Sequence, residues 1–212
     1  MASVRFDAAE REQLCDLLDE LGPDAPTLLD PWSTRDLAAH LVLREHDPLG
    51  APGLVVPGPW GRWTERRRVS LKRHSFPDLV ATVRSGPPPG FFRIGWVRRL
   101  ANLNECFVHH EDVRRANGLG PRALPHDEDA ALFRNATRSA RFLARRLRAV
   151  GLELAWAGTD TVAPVRRRQP RARVSGAPGE LLLFLFGRDP AEVQLTGPPE
   201  AVAAVERSSF GM

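Results

Sequence analysis

Residues 32–41 read Trp-Ser-Thr-Arg-Asp-Leu-Ala-Ala-His-Leu, and this stretch predicts the start of a helix. Ser33 is a favourable N-cap residue, and Asp36 three positions later completes the spacing of a capping box. Apolar residues continue the helix to about Glu45, with His40 in its middle. An imidazole among apolar neighbours is unfavourable unless it is hydrogen-bonded or ligated, so His40 is either a satisfied core histidine or a ligand.

A second segment contains side chains that could bind a metal or take part in a reaction. It reads Asn104-Glu-Cys-Phe-Val-His-His-Glu-Asp-Val-Arg-Arg-Ala116 and lies within a helix predicted over 96–117. Glu105 and His109 are four residues apart, so they are neighbours on one face of that helix. An apolar flank lies on the other side. The helix therefore carries a polar line formed by Arg98, Glu105, His109 and Asp112.

This polar line has alternative interpretations. It can be a solvated face with an ordinary pair at positions i and i+4. Asp112 can orient a ligand histidine, or it can form a salt bridge with Arg115 or Arg98. Cys106 and His110 also have a spacing that could bind zinc, but Cys106 lies on the apolar flank and is predicted to be a buried, inert thiol.

The two settings support each other as parts of one site. His40 from the second helix and the Glu105–His109 pair from the later helix would supply two nitrogens and one carboxylate oxygen. This donor set suits Zn²⁺ and leaves a fourth position for water or substrate.

Both segments resemble the signatures of a known family. Residues 32–41 match the pattern W-[ST]-x-x-[DE]-[LV]-x-x-H-[LV] of the DinB-like, mycothiol-dependent maleylpyruvate isomerase superfamily, and residues 104–116 are similar to its second signature. Within that superfamily the chain looks closest to an uncharacterised actinobacterial branch of metal-binding proteins. Residues 179–188 look like the carboxy-terminal domain that often accompanies the family's helical domain.

The resemblance implies a DinB-like four-helix bundle followed by a small C-terminal α+β domain, in a chain that is mainly α. It implies a divalent metal, most simply Zn²⁺, held by His40, Glu105 and His109. Most DinB-like proteins use three histidines, whereas the isomerase-like branch has a glutamate at one of these positions. The resemblance also implies a low-molecular-weight thiol as cofactor or co-substrate, such as mycothiol, bacillithiol or glutathione, together with a small-molecule substrate.

The rest of the chain is consistent with this organisation. Further helices are predicted over 7–21, 64–73, 76–84 and 127–150, the first with capping-box spacing between Asp7 and Glu10. A long Pro/Gly-rich loop is expected over 47–62. After Gly151 the pattern alternates, which predicts strands at 152–156, 171–175 and 191–195 and helices near 178–186 and 198–206. The predicted domains are therefore 1–150 and 151–212.

Composition limits the remaining function classes. The 212 residues carry 30 Lys and Arg against 26 Asp and Glu, and Lys72 is the only lysine. This arginine preference is more typical of a GC-rich genome than of a nucleic-acid-binding protein. No apolar run approaches the roughly 18 residues that span a membrane, and the N-terminus lacks a signal peptide. We expect a cytoplasmic monomer or homodimer that binds neither membranes nor nucleic acid.

Several other residues are weaker candidates. His110 adjoins the predicted ligands, and Arg188 could reach an anionic substrate or act as a structural cap. The C-terminal domain, with Trp156 or Arg188, is expected to close one side of the site. His46, His74 and the arginine runs 66–68 and 166–168 are expected to be solvated. The tryptophans of the Pro/Gly loop, Trp60 and Trp63, could line a pocket or cover the core.

Overall fold

The structure is a computed structural model that describes residues 5–54, 58–147, 149–189, 191–208 and 210. The chain forms two compact units, Met1–Arg122 and Ala123–Met212. This division falls before residue 150, because the helix at 126–143 packs against elements of the second unit. The change of sequence pattern at Gly151 marks the step from helix to strand and not the limit of a compact unit.

The first unit is helical. Its helices are α1 (Phe6–Leu21), α2 (Thr34–His46), α3 (Pro59–Leu71), α4 (Phe76–Ser85), the short α5 (Gly95–Val97) and α6 (Leu103–Ala116). One core joins α1, α2, α4 and α6, with buried side chains from each that include Leu14, Leu18, Leu37, Leu41, Leu79, Val83 and Val113. The predicted four-helix bundle is therefore confirmed.

The N-terminus of α2 has the predicted capping box. The backbone N–H and the hydroxyl of Ser33 both donate to Oδ2 of Asp36, at 3.3 and 3.1 Å. These bonds fix the first turn of α2 and therefore the position of His40 further along the same helix.

The capping box predicted for α1 is not formed. Arg5 occupies the N-cap position, which places Asp7 inside the first turn. Asp7 accepts from Arg98 at 3.0 Å, and Glu10 is buried against His110 and Arg122. Ion pairs with other elements have replaced the local contact that the spacing indicated.

The predicted long helix and long loop both differ in detail. The segment 95–116 is helical throughout, but Arg98–Asn102 form a π-helical turn between α5 and α6. The Pro/Gly-rich segment ends earlier than expected, because Pro59 occupies the first turn of α3, where a missing N–H has no cost. Residues 55–57 of that segment lie outside the described residues.

The second unit combines helices with a small sheet. Its helices are α7 (His126–Leu143), α8 (Pro178–Leu185) and α9 (Pro199–Glu206), and a 3₁₀ turn at Ala144–Arg146 replaces the predicted end of α7. The strands β1 (Gly151–Trp156), β2 (Val162–Arg166), β3 (Arg171–Gly176) and β4 (Val193–Thr196) form a sheet in the order β2-β1-β3-β4. The central pair β1–β3 is parallel, and the outer pairs are antiparallel. The predicted small α+β part is confirmed.

Strand β2 was not predicted, because Pro164 and the arginine run that begins at Arg166 obscure its alternation. It is an edge strand, where a proline is tolerated since its missing N–H need not pair. Within the described part of the chain, no helix is both long and apolar enough to cross a membrane.

Candidate metal centre

The side chains of His40, Glu105 and His109 converge in the first unit. His40 comes from α2, and the other two come from successive turns of α6. Each offers one potential ligand atom, and these atoms lie within 4.8 Å of one another. Oε1 of Glu105 is the common point, at 3.0 Å from Nε2 of His40 and 3.2 Å from Nε2 of His109.

The cluster is largely buried but retains a path to solvent. The exposed fractions of the three side chains are 13% for His40, 17% for Glu105 and 9% for His109. The face of α6 that carries Glu105 and His109 is therefore turned inward, in contrast to a solvated surface pair.

Asp112 contacts the ring nitrogen of His109 that faces away from Glu105. Its Oδ2 lies 2.9 Å from Nδ1 of His109, and the carboxylate is completely buried. Arg98 pairs with Asp7, and Arg115 pairs with Glu111. A carboxylate on the far nitrogen of a histidine is the usual support of a metal-ligating imidazole.

Arg44 is a contact of the cluster that the sequence did not indicate. Its Nε lies 3.4 Å from Oε2 of Glu105, the oxygen that does not face the histidines. The same guanidinium donates to the carbonyl of Ala101 and to Oδ1 of Asn102, both in the π-helical turn. It also lies over the ring of Phe92, 4.7 Å from the centroid. The π turn thus supplies acceptors that fix Arg44 beside Glu105.

Aromatic contacts fix the other side of His40. The ring of Trp32 lies 5.2 Å from the His40 ring, and the guanidinium of Arg68 lies 4.5 Å from the Trp32 centroid. Arg68 is itself buried and donates to Asp36 of the α2 capping box at 2.6 Å. The predicted solvated run 66–68 is therefore wrong at this position.

The protonation states of the cluster follow from these contacts. Burial alone lowers the pKa of His109, but its bonds to Asp112 and Glu105 outweigh burial and raise the pKa to about 9. Burial lowers the pKa of His40 more than Glu105 raises it. Burial raises the pKa of Glu105, yet Arg44 and the two histidines overcome this and hold it well below its usual value. Without a metal, these shifts favour an imidazolium at His109, a carboxylate at Glu105 and a neutral imidazole at His40 near neutral pH.

The donor chemistry fits a divalent metal. Two imidazole nitrogens and one carboxylate oxygen form the open three-ligand set typical of catalytic zinc. Nδ1 of His40 is buried and has no hydrogen-bond partner among the described residues. If Nε2 of His40 binds a metal, the proton of the neutral ring lies on Nδ1. No described residue accepts a hydrogen bond from that atom, whereas Asp112 accepts one from Nδ1 of His109.

The other candidates in the first unit lie outside the cluster. Nδ1 of His110 is 3.0 Å from Oε2 of Glu10, within a buried network that includes Arg122 and Glu111. Cys106 is 2% exposed, and burial raises the pKa of its thiol to about 12. The apolar placement predicted for Cys106 is confirmed, and a site formed by Cys106 and His110 finds no support in this geometry.

Arg188 and Trp156 belong to the second unit. Arg188 follows α8, and its Nη1 donates to the carbonyl of Phe186 at 2.7 Å, which is a capping contact. The ring of Trp156 stacks on those of His126 and Phe133, with centroids 5.2 and 5.8 Å apart. Their predicted approach to the metal site stays a prediction.

The chain thus combines a helical bundle, which carries the His40–Glu105–His109 cluster, with a small α+β unit. Among solved structures, the chain is similar to that of the mycothiol-dependent maleylpyruvate isomerase, with a TM-score of 0.58. The match covers 91% of this chain and 89% of that chain at 15% sequence identity, so it establishes a shared fold. No family model matches the sequence. No curated protein matches it either.

Proposed function

We propose that this protein is a divalent-metal-dependent enzyme, a transferase or isomerase that uses a low-molecular-weight thiol of the mycothiol type. His40, Glu105 and His109 would hold the metal, with Zn²⁺ the best match to their donor atoms. The observation that carries the proposal is the convergence of both histidines on Oε1 of Glu105. The fold shared with a mycothiol-dependent isomerase supports the choice of thiol.

The number of donors favours catalysis over a purely structural metal. Structural zinc sites are commonly closed by four protein ligands, whereas catalytic sites have three and an open position. Within the described residues, three side chains form the cluster, and each is partly exposed. A non-catalytic metal-binding or sensing protein is the alternative, and it would need the fourth position to be closed.

The chain's own residues would prepare the site for this chemistry. Asp112 accepts a hydrogen bond from Nδ1–H of His109 and so fixes the orientation of the ring. Arg44 engages Oε2 of Glu105, which leaves Oε1 as the oxygen directed to the metal position. A bound divalent metal would lower the pKa of a coordinated thiol and polarise a substrate carbonyl. The two cysteines have no part in this account, since both are buried and free.

The test is a thiol titration of protein loaded with Co²⁺, whose visible absorption reports the ligands around the metal. Addition of mycothiol is expected to change the spectrum with a saturable dependence on concentration. The matched control is a mycothiol analogue in which serine replaces the cysteine, and it should leave the spectrum unchanged. A spectrum that responds to neither compound would contradict the thiol-dependent activity and favour the closed-site alternative.

A further inference from the structure

A groove in the first unit is separate from the cluster of His40, Glu105 and His109. It is lined by the last turn of α2, the following residues 47–49 and one face of α3, and its volume is about 700 Å³. We refer to it as the α2–α3 groove. His46 lines it, whereas His40 belongs to the candidate metal site. The two histidines are about 9 Å apart along the axis of α2 and lie on different faces of the helix. A volume of this size is typical of small-molecule sites.

The face of α3 that lines the groove has helical periodicity. Its members follow the spacing i, i+3, i+4, i+7 and i+8, which is the pattern of a continuous stripe along one side of a helix. The residues of this stripe are Trp63, Arg66, Arg67, Ser70 and Leu71. On an ordinary helix such a stripe is apolar and packs on the core. Here it mixes aromatic and cationic side chains beside a cavity.

The charge of the groove is positive. Arg66 and Arg67 both line it, and Asp47 is the acidic residue among the lining side chains. Asp47 already accepts from Nε of Arg67 and from the backbone N–H groups of Leu49 and Gly50. No described residue forms an ion pair or a side-chain hydrogen bond with Arg66, so its charge is uncompensated within that part of the chain.

The floor of the groove is apolar and has one unsatisfied polar atom. Val42 and Leu43 are buried beneath it, and the exposed Leu49 and Trp63 stand at its rim. Nε2 of His46 is shielded from solvent and has no hydrogen-bond partner within the described ranges. Because an unpaired buried polar atom is unfavourable, a ligand acceptor near His46 would stabilise this end of the groove.

We propose that the α2–α3 groove binds a small organic anion with an apolar body. Arg66 would pair with the anionic group, and the floor formed by Val42, Leu43 and Leu71 would cover the apolar part. A carboxylate and a phosphate monoester share this chemistry, and both suit an arginine. The proposal rests on the groove alone and is independent of the metal and of the proposed reaction.

Calorimetric titration with octanoate and with octyl phosphate tests the proposal on the full chain. Saturable binding of either compound is expected, and the tighter of the two identifies the anionic group. Arg66→Gln should weaken that binding by about tenfold, the usual effect of losing one charge-assisted contact. The matched control is Arg62→Gln, an exposed arginine on the same helix that does not line the groove, and it should bind as the wild type does.

Two further probes separate the contributions. 1-Octanol lacks the charge and acetate lacks the apolar body, so both should bind more weakly than octanoate. Ser70→Trp would fill the groove from an exposed position and should abolish binding while the helical circular dichroism is unchanged. The proposal is wrong if neither anion binds at millimolar concentration, if octanol binds as tightly as octanoate, or if Arg62→Gln and Arg66→Gln have equal effects.

Discussion

Nδ1 of His109 lies 2.9 Å from Oδ2 of Asp112, a carboxylate with no solvent exposure. The two residues are three positions apart on α6, so the helix itself sets this contact. With Nδ1 occupied, Nε2 of His109 is directed towards Glu105 and the ring of His40. This pair therefore selects which nitrogen of His109 is available to a metal.

Replacement of Asp112 should weaken metal binding without removing it. Asp112→Asn keeps the size of the side chain but loses the charge that orients and polarises His109, and such changes commonly cost about 10- to 100-fold in metal affinity. Competition with a chromophoric chelator measures the effect. Asp16→Asn, at an exposed carboxylate on α1, is the control and should bind metal as the wild type does. Unchanged affinity in Asp112→Asn would contradict a supporting role.

Metal affinity should increase with pH. In the folded protein the pKa of His109 is raised from 6.5 to about 9, so the imidazolium must lose a proton before Nε2 can ligate. Affinity is expected to rise between pH 6.5 and 9 and then to level off. Zinc titrations in buffers of different ionisation enthalpy should also show proton release near pH 7. Affinity that is flat across this range would contradict the charged state assigned to His109.

The stability of the metal-free protein should change in the opposite direction. A pKa that is raised on folding contributes stability that is complete below the unfolded value and is lost as pH rises through the folded value. For His109 this window lies between pH 6.5 and about 9. Urea denaturation of the chelator-treated protein should therefore give lower unfolding free energies at pH 9 than at pH 6.5. Asp112→Asn should shift this loss to lower pH, and an identical profile in both proteins would contradict the assignment.

Arg44 should contribute to stability as well as to the site. Arg44→Gln removes a largely buried guanidinium from Glu105, Ala101 and Asn102, and the loss is expected to be about 1–3 kcal/mol in unfolding free energy. Urea denaturation measures it. Arg62→Gln, at an exposed position on α3, is the control and should change stability by less than about 0.5 kcal/mol. Equal losses in the two variants would show that the Arg44 contacts are unimportant.

Cys106 should behave as a packing residue. Its thiol is buried with a pKa raised to about 12, so it is protonated and unreactive at neutral pH. Cys106→Ala is expected to keep full metal content and to lose on the order of 1 kcal/mol of stability. Thiol labelling should proceed only after unfolding. Loss of metal in this variant would indicate that the ligand set is wrong by one residue on α6.

Local sequence signals predicted the elements that position the cluster. The capping box of Ser33 and Asp36 fixed the start of α2, and the spacing of Glu105 and His109 placed both on one face of α6. These features depend on neighbours within one helical turn, which periodicity describes well. Strand β2 and the limit of the first compact unit depend on contacts between distant segments, and the sequence pattern did not indicate them.

The missed contacts of the site have the same origin. In the sequence, Arg44 is an arginine near the end of a helix with no distinguishing neighbour. Its role depends on Asn102 and the carbonyl of Ala101, which the π turn of a distant segment supplies. Arg68 belonged to a charge run whose other members are exposed, and only packing against α2 made it buried. Two sequence cues could have been followed further. They are the exceptional length of the helical pattern at 96–117 and the tryptophan that opens residues 32–41.

Metal content after His40→Ala tests the central claim most directly. The wild-type protein, equilibrated with Zn²⁺ and then desalted, should retain one ion per chain as measured by elemental analysis, because His40, Glu105 and His109 form one cluster. His40→Ala should retain almost none. His74→Ala, at an exposed histidine of the same unit, should retain as much as the wild type. Equal retention by His40→Ala and the wild type, or no retention by the wild type, would contradict the account.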